Sequence, residues 1–187
     1  MSERLRFDAV TGRRGGRILF EGLSLVLRPG EAALVSGPNG TGKSSLLRIA
    51  AGLLAAAAGR VEAAPAALAD EHGAFDERQR LGPALAFWAR LDGGDACGAI
   101  EAMGLSHLTD VPVRMLSTGQ RKRAVLARVM ASGAPLWLLD EPANGLDAEG
   151  QERLAAAMGR HRSAGGAILA ASHQPLGLEG AQALTLG

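Results

Sequence analysis

Cysteine is nearly absent from this chain. Cys97 stands alone, which excludes an internal disulfide and a multi-cysteine zinc site and fits a reducing compartment. A charge excess is missing too: twenty basic against nineteen acidic residues leave a net +1. That balance argues against a nucleic-acid binder with a broad basic field and against a polybasic membrane anchor. No apolar run is long enough to span a bilayer. The nearest candidate, residues 49–58, is alanine-rich and about half the ~20 residues a spanning helix needs. The N-terminal residues enter an alternating pattern with no signal-peptide core, so any membrane process is expected to be served from the cytoplasm. Lysine is scarce: among the basic residues only Lys43 and Lys122 carry a compact ammonium in place of a guanidinium, which marks both positions. Tyrosine does not occur at all.

What is present is ordinary globular material, 47% hydrophobic and 21% charged over 187 residues. A chain of this length buries ~70% of its unfolded surface and has room for one domain with a small inserted lobe. Leu5, Phe7 and Ala9 alternate with polar partners, residues 13–17 turn the chain, and 18–20 and 23–27 read as further short strands. Ala32–Ser36 is a buried-type strand that runs into glycine-rich residues 37–42, and helical spacing follows through Ser44, Leu46, Leu47, Ala50 and Leu53. Residues 75–131 read as a compact helical insert, with Leu85, Phe87 and Trp88 as a small apolar cluster. Residues 136–139 form a fully apolar run ending in two carboxylates, 149–162 have helical periodicity, Ala167–Ala171 is another buried strand, and 184–186 are a last short one.

Three segments carry chemistry. Gly37, Pro38, Asn39, Gly40, Thr41, Gly42, Lys43 and Ser44 fit the G-x-x-x-x-G-K-[ST] phosphate loop, with Ser45 continuing the helix start. Its glycines let successive N–H groups ring a polyphosphate, Lys43 reaches the β and γ phosphates, and the Ser44 hydroxyl meets Mg²⁺. The apolar run 136–139 delivers Asp140 as a second Mg²⁺ ligand and Glu141 as the group that polarises an attacking water. Ser117 and Gln120 form an S-x-x-Q capping box at the head of a helix carrying Arg121, Lys122, Arg123 and Arg128. A capped helix start flanked by cations is also a pre-organised anion site. His107 and His161 have no metal-ligand spacing and read as surface histidines, and Cys97 reads as a bystander thiol.

Taken in order, these segments make the chain resemble the nucleotide-binding subunits of ATP-binding cassette (ABC) transporters. Residues 37–44 match the Walker A loop, 116–120 resemble the LSGGQ signature, and 136–141 match Walker B with its glutamate. Residues 144–147, ending in Asp147, are similar to the D-loop, and His173 stands at the switch-histidine position. The strings 14–20, 116–123, 140–147 and 172–176 further resemble the heme-exporter ATP-binding subunits of cytochrome c maturation. The resemblance implies an α/β P-loop NTPase fold in one domain, residues 1–187: an ABC-type nucleotide-binding domain with a small antiparallel β subdomain and an inserted helical subdomain. It implies ATP and Mg²⁺ as cofactors and hydrolysis of ATP coupled to transport. It implies a head-to-tail homodimer in which one subunit supplies Lys43, Ser44, Asp140, Glu141 and His173, and the other Ser117 and Gly119. The expected partners are integral membrane subunits of an ABC complex, those of cytochrome c maturation, and the chain itself is expected to sit peripherally at the cytoplasmic face of a bacterial inner membrane. Neither nucleic acid nor direct heme binding is expected.

Three positions depart from the family pattern. Arg13 or Arg14 stands where an aromatic residue usually stacks on adenine; a guanidinium plane can also stack on a base. Thr118 replaces the first glycine of the signature. No glutamine falls at the Q-loop, where residues 70–76 stand, and Gln79 is a few positions late. A different ABC importer or exporter, a soluble P-loop ATPase or kinase, and a non-catalytic nucleotide-binding module remain as rival readings.

Overall fold

The structure is a computed structural model and describes residues 3–70 and 75–187. Glu71, His72, Gly73 and Ala74, which fall within the expected Q-loop region, lie outside the described residues. The chain begins with β1 (Leu5–Arg14), β2 (Arg17–Leu27) and β3 (Ala32–Ser36), followed by α1 (Lys43–Ala50), β4 (Ala58–Ala63) and β5 (Ala66–Ala69). Helices α2 (Leu81–Asp92), α3 (Ala96–Ala102) and α4 (Thr118–Ala131) come next, then β6 (Leu136–Asp140), α5 (Ala148–Ser163), β7 (Ala167–Ala171) and β8 (Gln182–Thr185).

Two sheets result. The smaller is antiparallel with order β2-β1-β4; the larger is all-parallel with order β5-β6-β7-β3-β8. Apolar residues on both faces of its central strands explain why the parallel sheet is buried on both sides. In β6, Leu136 and Leu138 face the cluster formed with α1 and the antiparallel sheet. Trp137 and Leu139 face the cluster built with α2, α4 and α5. β7 divides the same way, Leu169 to one side and Ile168 to the other, as the two-residue strand period requires.

The structure revises several local expectations. Ala9 does not alternate inward: a bulge between Phe7 and Val10 turns it to solvent with φ 46° and sends Val10 into the core. Residues 17–27 are one strand instead of two, with left-handed Gly22 taking up the irregularity in pairing. The first helix ends at Ala50, since left-handed Gly52 closes it, and Leu53 is left 69% exposed. The alanine-rich stretch 58–69, which carries little sequence signal, is two strands, β4 paired to β1 and β5 paired to β6.

Parallel strands put all their carboxyl ends at one edge, where chain order also reverses: β3 lies between β7 and β8. The turns after β3, β5, β6 and β7 therefore converge on that edge, the usual location of a ligand crevice in an open α/β sheet. The helices α2, α3 and α4 form an arm inserted between β5 and β6.

Candidate functional site

The turn after β3 wraps into α1. Gly37 has φ 138°, and a Cβ there would run into the Leu186 carbonyl. Gly42, at φ 104°, occupies the N-cap position of α1, where a Cβ would come 2.9 Å from Leu19. Glycine is thus required at both ends of the loop for backbone conformation and for space. No side chain caps α1, so its first N–H groups and the positive end of its dipole face the cleft, an arrangement suited to an anion. Lys43 is 8% exposed, and its Nζ donates to the Gly37 and Pro38 carbonyls at 2.7 and 3.0 Å. These bonds hold the ammonium across the loop. Thr41 Oγ1 braces the same turn by donating to the Pro38 carbonyl at 2.9 Å.

A cleft of about 630 Å³ opens here, lined by Asn39, Gly40, Gly42, Lys43, Ser44, Ser45, Asp140 and Glu141. Asp140 is 9% exposed at the end of β6, directly across the strand pair from Ala171. Glu141 adopts φ 45°, rare for a residue with a side chain, and its N–H donates to the Ala171 carbonyl at 2.9 Å. Its Oε2 accepts from the His173 N–H at 3.3 Å, and its Oε1 lies 3.6 Å from His173 Nε2. The same Nε2 lies 3.2 Å from Asn39 Oδ1, so His173 bridges Glu141 to the phosphate loop. Ser172 shapes that turn: its hydroxyl donates to the Gln174 carbonyl and accepts from the Gln174 N–H, at 2.9 and 3.0 Å.

The hard oxygen donors Ser44 and Asp140 share this cleft, and among the described residues no group of three or more His, Cys, Asp or Glu could hold a metal ion by itself. A serine hydroxyl and one carboxylate fit an ion that keeps most of its sites for phosphate oxygens and water, the habit of Mg²⁺.

The remaining expected residues lie elsewhere. Ser117 and Gln120 form the anticipated capping box at the start of α4: Ser117 Oγ accepts from Gln120 N–H at 3.2 Å, and Gln120 Oε1 accepts from Ser117 N–H at 2.9 Å. Gly119 approaches the D-loop, where a Cβ would come 3.0 Å from the Gly145 carbonyl. Asp147 caps α5 by accepting from Gly150 N–H at 2.8 Å. None of these four lines the cleft of their own chain. Gln79 belongs to the entrance of the helical arm, where its carbonyl accepts from the Val113 N–H.

Sequence reasoning left Arg13 and Arg14 as alternatives and missed two further contributors, Arg48 and Asp70. Arg14, and not Arg13, lines the mouth of the cleft beside Gly15 and Leu19. Arg48 lies four residues after Ser44, one helical turn along the same face, and Asp70 follows directly on β5. Both line the cleft, with their charged groups 3.4 Å apart. The four-residue spacing was a usable signal for Arg48; nothing in the sequence signalled Asp70. His161 is not a plain surface residue either. Its ring stacks on Trp137 at 3.9 Å, and burial pushes its pKa below the ordinary value, opposed by a hydrogen bond to Ala167 O and aided by the charge of Arg4.

Comparison with known proteins gives a consistent result. Residues 20–144 match the ABC transporter family. The chain is 53% identical over 191 residues to the cytochrome c biogenesis ATP-binding export protein CcmA of Sphingopyxis alaskensis, covering 100% of this chain and 98% of that protein. It is 57% identical over 176 residues to the protein of the same name from Novosphingobium aromaticivorans, covering 93% and 91% respectively. Among solved structures, a putative ABC transporter ATP-binding protein from Pyrococcus furiosus superposes with a TM-score of 0.84 at 19% identity, over 99% of this chain and 98% of the other. An ATP-binding subunit of an ABC transporter gives 0.83 at 21% identity, over 90% and 79%.

Proposed function

The chain belongs to the CcmA family of ABC transporter ATP-binding proteins, and from that premise we propose that its cleft hydrolyses MgATP to power heme export or delivery for c-type cytochrome biogenesis. The observation that carries the reading is a division of labour. Lys43, Ser44, Asp140 and Glu141 converge on one cleft with His173 at its edge, while Ser117 and Gly119 stand outside it on the start of α4. A site so divided is completed by a second copy placed head to tail, whose α4 offers its capped, positive end to the γ-phosphate.

Each residue then has a physical task. The loop amides and Lys43 hold the phosphates. Ser44 and Asp140 would hold Mg²⁺, which would supply charge neutralisation at the phosphate oxygens. Glu141 orients and polarises the attacking water, held to its task by the His173 N–H, and His173 also joins that carboxylate to Asn39 of the loop. Positioning and electrostatics supply most of the catalysis in phosphoryl transfer, so closure of the pair is what switches hydrolysis on. At the mouth, the Arg14 guanidinium stacks on adenine in place of an aromatic ring.

Closure is passed to separate membrane subunits through the helical arm. Among the described residues no helix is long and apolar enough to cross a membrane. On α2, Phe87 and Leu91 lie one turn apart on the exposed face, and Met115 is exposed as well. Trp88 is held back, edge-on to Phe87 and under the Arg128 guanidinium at 4.1 Å. The exposed Phe87, Leu91 and Met115 side chains support reading the protein as peripheral at the cytoplasmic face of a bacterial inner membrane, with heme handled by its partners and not by this chain. The test is recovery of Glu141→Gln from native membranes in MgATP, a variant that closes without hydrolysing. Membrane subunits of cytochrome c maturation, with a Soret band from heme, are the expected catch. An unrelated permease would keep the ATPase and overturn the heme assignment.

A further inference from the structure

The second of the two lysines stands between the arm and the catalytic strand. A small cleft of about 220 Å³ separates the start of α4 from the end of β6, with Arg121 and Lys122 on one wall and Asp70 and Glu141 on the other. Arg121 is tied within the arm and its entrance, to Glu77 at 2.9 Å and to the Val113 and Arg114 carbonyls at 3.4 and 3.5 Å. Lys122 instead crosses to the core, where its Nζ donates to the backbone carbonyl of Asp140 at 3.4 Å.

That carbonyl belongs to the peptide unit joining the Mg²⁺-ligand position to the water-polarising glutamate. The other end of the same unit, the Glu141 N–H, is bound by the Ala171 carbonyl at 2.9 Å. The peptide is therefore gripped on both sides, from the arm and from β7. The grip matters because the next residue is in an unusual conformation. Glu141 has φ 45° with a full side chain, a state that persists only when its surroundings enforce it. Rotation of the Asp140–Glu141 peptide would relieve it, and would break the Glu141 N–H bond to the Ala171 carbonyl that fixes the backbone carrying the catalytic carboxylate.

We propose that Lys122 is a positioning residue for ATP hydrolysis: by holding the Asp140 carbonyl from the first turn of α4, it keeps the Asp140–Glu141 peptide in its active orientation and makes that orientation depend on where the helical arm sits. The proposal rests on the hydrolytic reading of the cleft and adds a route by which arm movement reaches the catalytic carboxylate. Lys122 acts through the peptide it holds.

Lys122→Met keeps the aliphatic stem and removes the donor; Lys122→Arg returns a donor to the same carbonyl. In the full-length protein, Lys122→Met lowers kcat by about tenfold or more while KM for ATP stays within about twofold, the pattern of a lost transition-state arrangement. Lys122→Arg recovers most of the rate. Hydrogen exchange of the Glu141 amide, measured on the same proteins, accelerates by about tenfold in Lys122→Met while the melting temperature is unchanged. Unchanged kcat with unchanged Glu141 exchange overturns the proposal, and so does a raised KM at constant kcat. If the wild-type protein hydrolyses no ATP, the hydrolytic reading fails by itself, and the exchange measurement still decides whether Lys122 holds the peptide.

Discussion

Ser117 has two tasks that one series of substitutions can pull apart. It caps α4 through the reciprocal bonds with Gln120, and in the closed pair it is proposed to face the partner's nucleotide. Ser117→Ala removes the cap, which costs about 1 kcal/mol and lowers the melting temperature by about 2–4 °C for a domain of this size. Ser117→Asp keeps a capping oxygen, and its charge favours the positive end of the helix, so the melting temperature stays at the wild-type value or above it. The same charge meets the γ-phosphate when the pair closes. Two unit charges ~4 Å apart at an effective dielectric of ~20 repel by about 4 kcal/mol, roughly a thousandfold in an equilibrium constant. The stability order is therefore Asp and Ser above Ala, and the activity order is Ser above Ala far above Asp. Thermal melts and steady-state ATPase on the three proteins read both orders. ATP-driven dimerisation of the three in a Glu141→Gln background supplies the affinity. Wild-type hydrolysis by Ser117→Asp would refute the anion contact, whatever its melting temperature.

Arg14→Ala is expected to weaken ATP binding about tenfold while leaving inorganic tripolyphosphate binding unchanged, by calorimetry, since Arg14 lines the cleft with Gly15 and Leu19 and is proposed to stack on the base. Equal losses for both ligands would make Arg14 a phosphate contact. Leu138→Ala removes a side chain with no exposed surface between α1 and the parallel sheet and is expected to cost about 2–5 kcal/mol in a denaturant titration, with little change in KM for ATP. For His161, burial favours the neutral ring, so below its unfolded value of 6.5 the unfolded chain binds more protons than the native one. Stability therefore falls as pH drops through that value, and His161→Phe, which keeps a flat ring over Trp137, flattens the slope; an unchanged slope places the acid sensitivity elsewhere.

The conformation of the phosphate loop was legible because it is local. Glycines at 37 and 42, a lysine and a serine at fixed spacing have few other reasons to occur together, and each acts within a few residues of the next. The capping box at Ser117 and Gln120 was legible for the same reason, because both partners lie within one helical turn. Buried strands such as 136–139 announced themselves through unbroken apolar runs, which only a sheet covered on both faces requires.

Tertiary structure decided everything that depended on partners remote in sequence. Alanine carries a weak strand preference, so β4 and β5 became strands through pairing with β1 and β6 and not through their own residues. Ala9 kept its alternating sequence context and still faced outward, because the bulge is a property of the paired strands. Arg14 was selected over Arg13 by the position of β1 against the phosphate loop, and the Arg48–Asp70 pair formed because a helix and a strand end twenty-two residues apart face the same cleft. The sequence marked Lys122 as unusual by composition alone. Only the packing of α4 against the edge of the parallel sheet at β5 placed its ammonium at the Asp140 carbonyl, since a hydrogen bond is fixed by distance and angle and not by residue type.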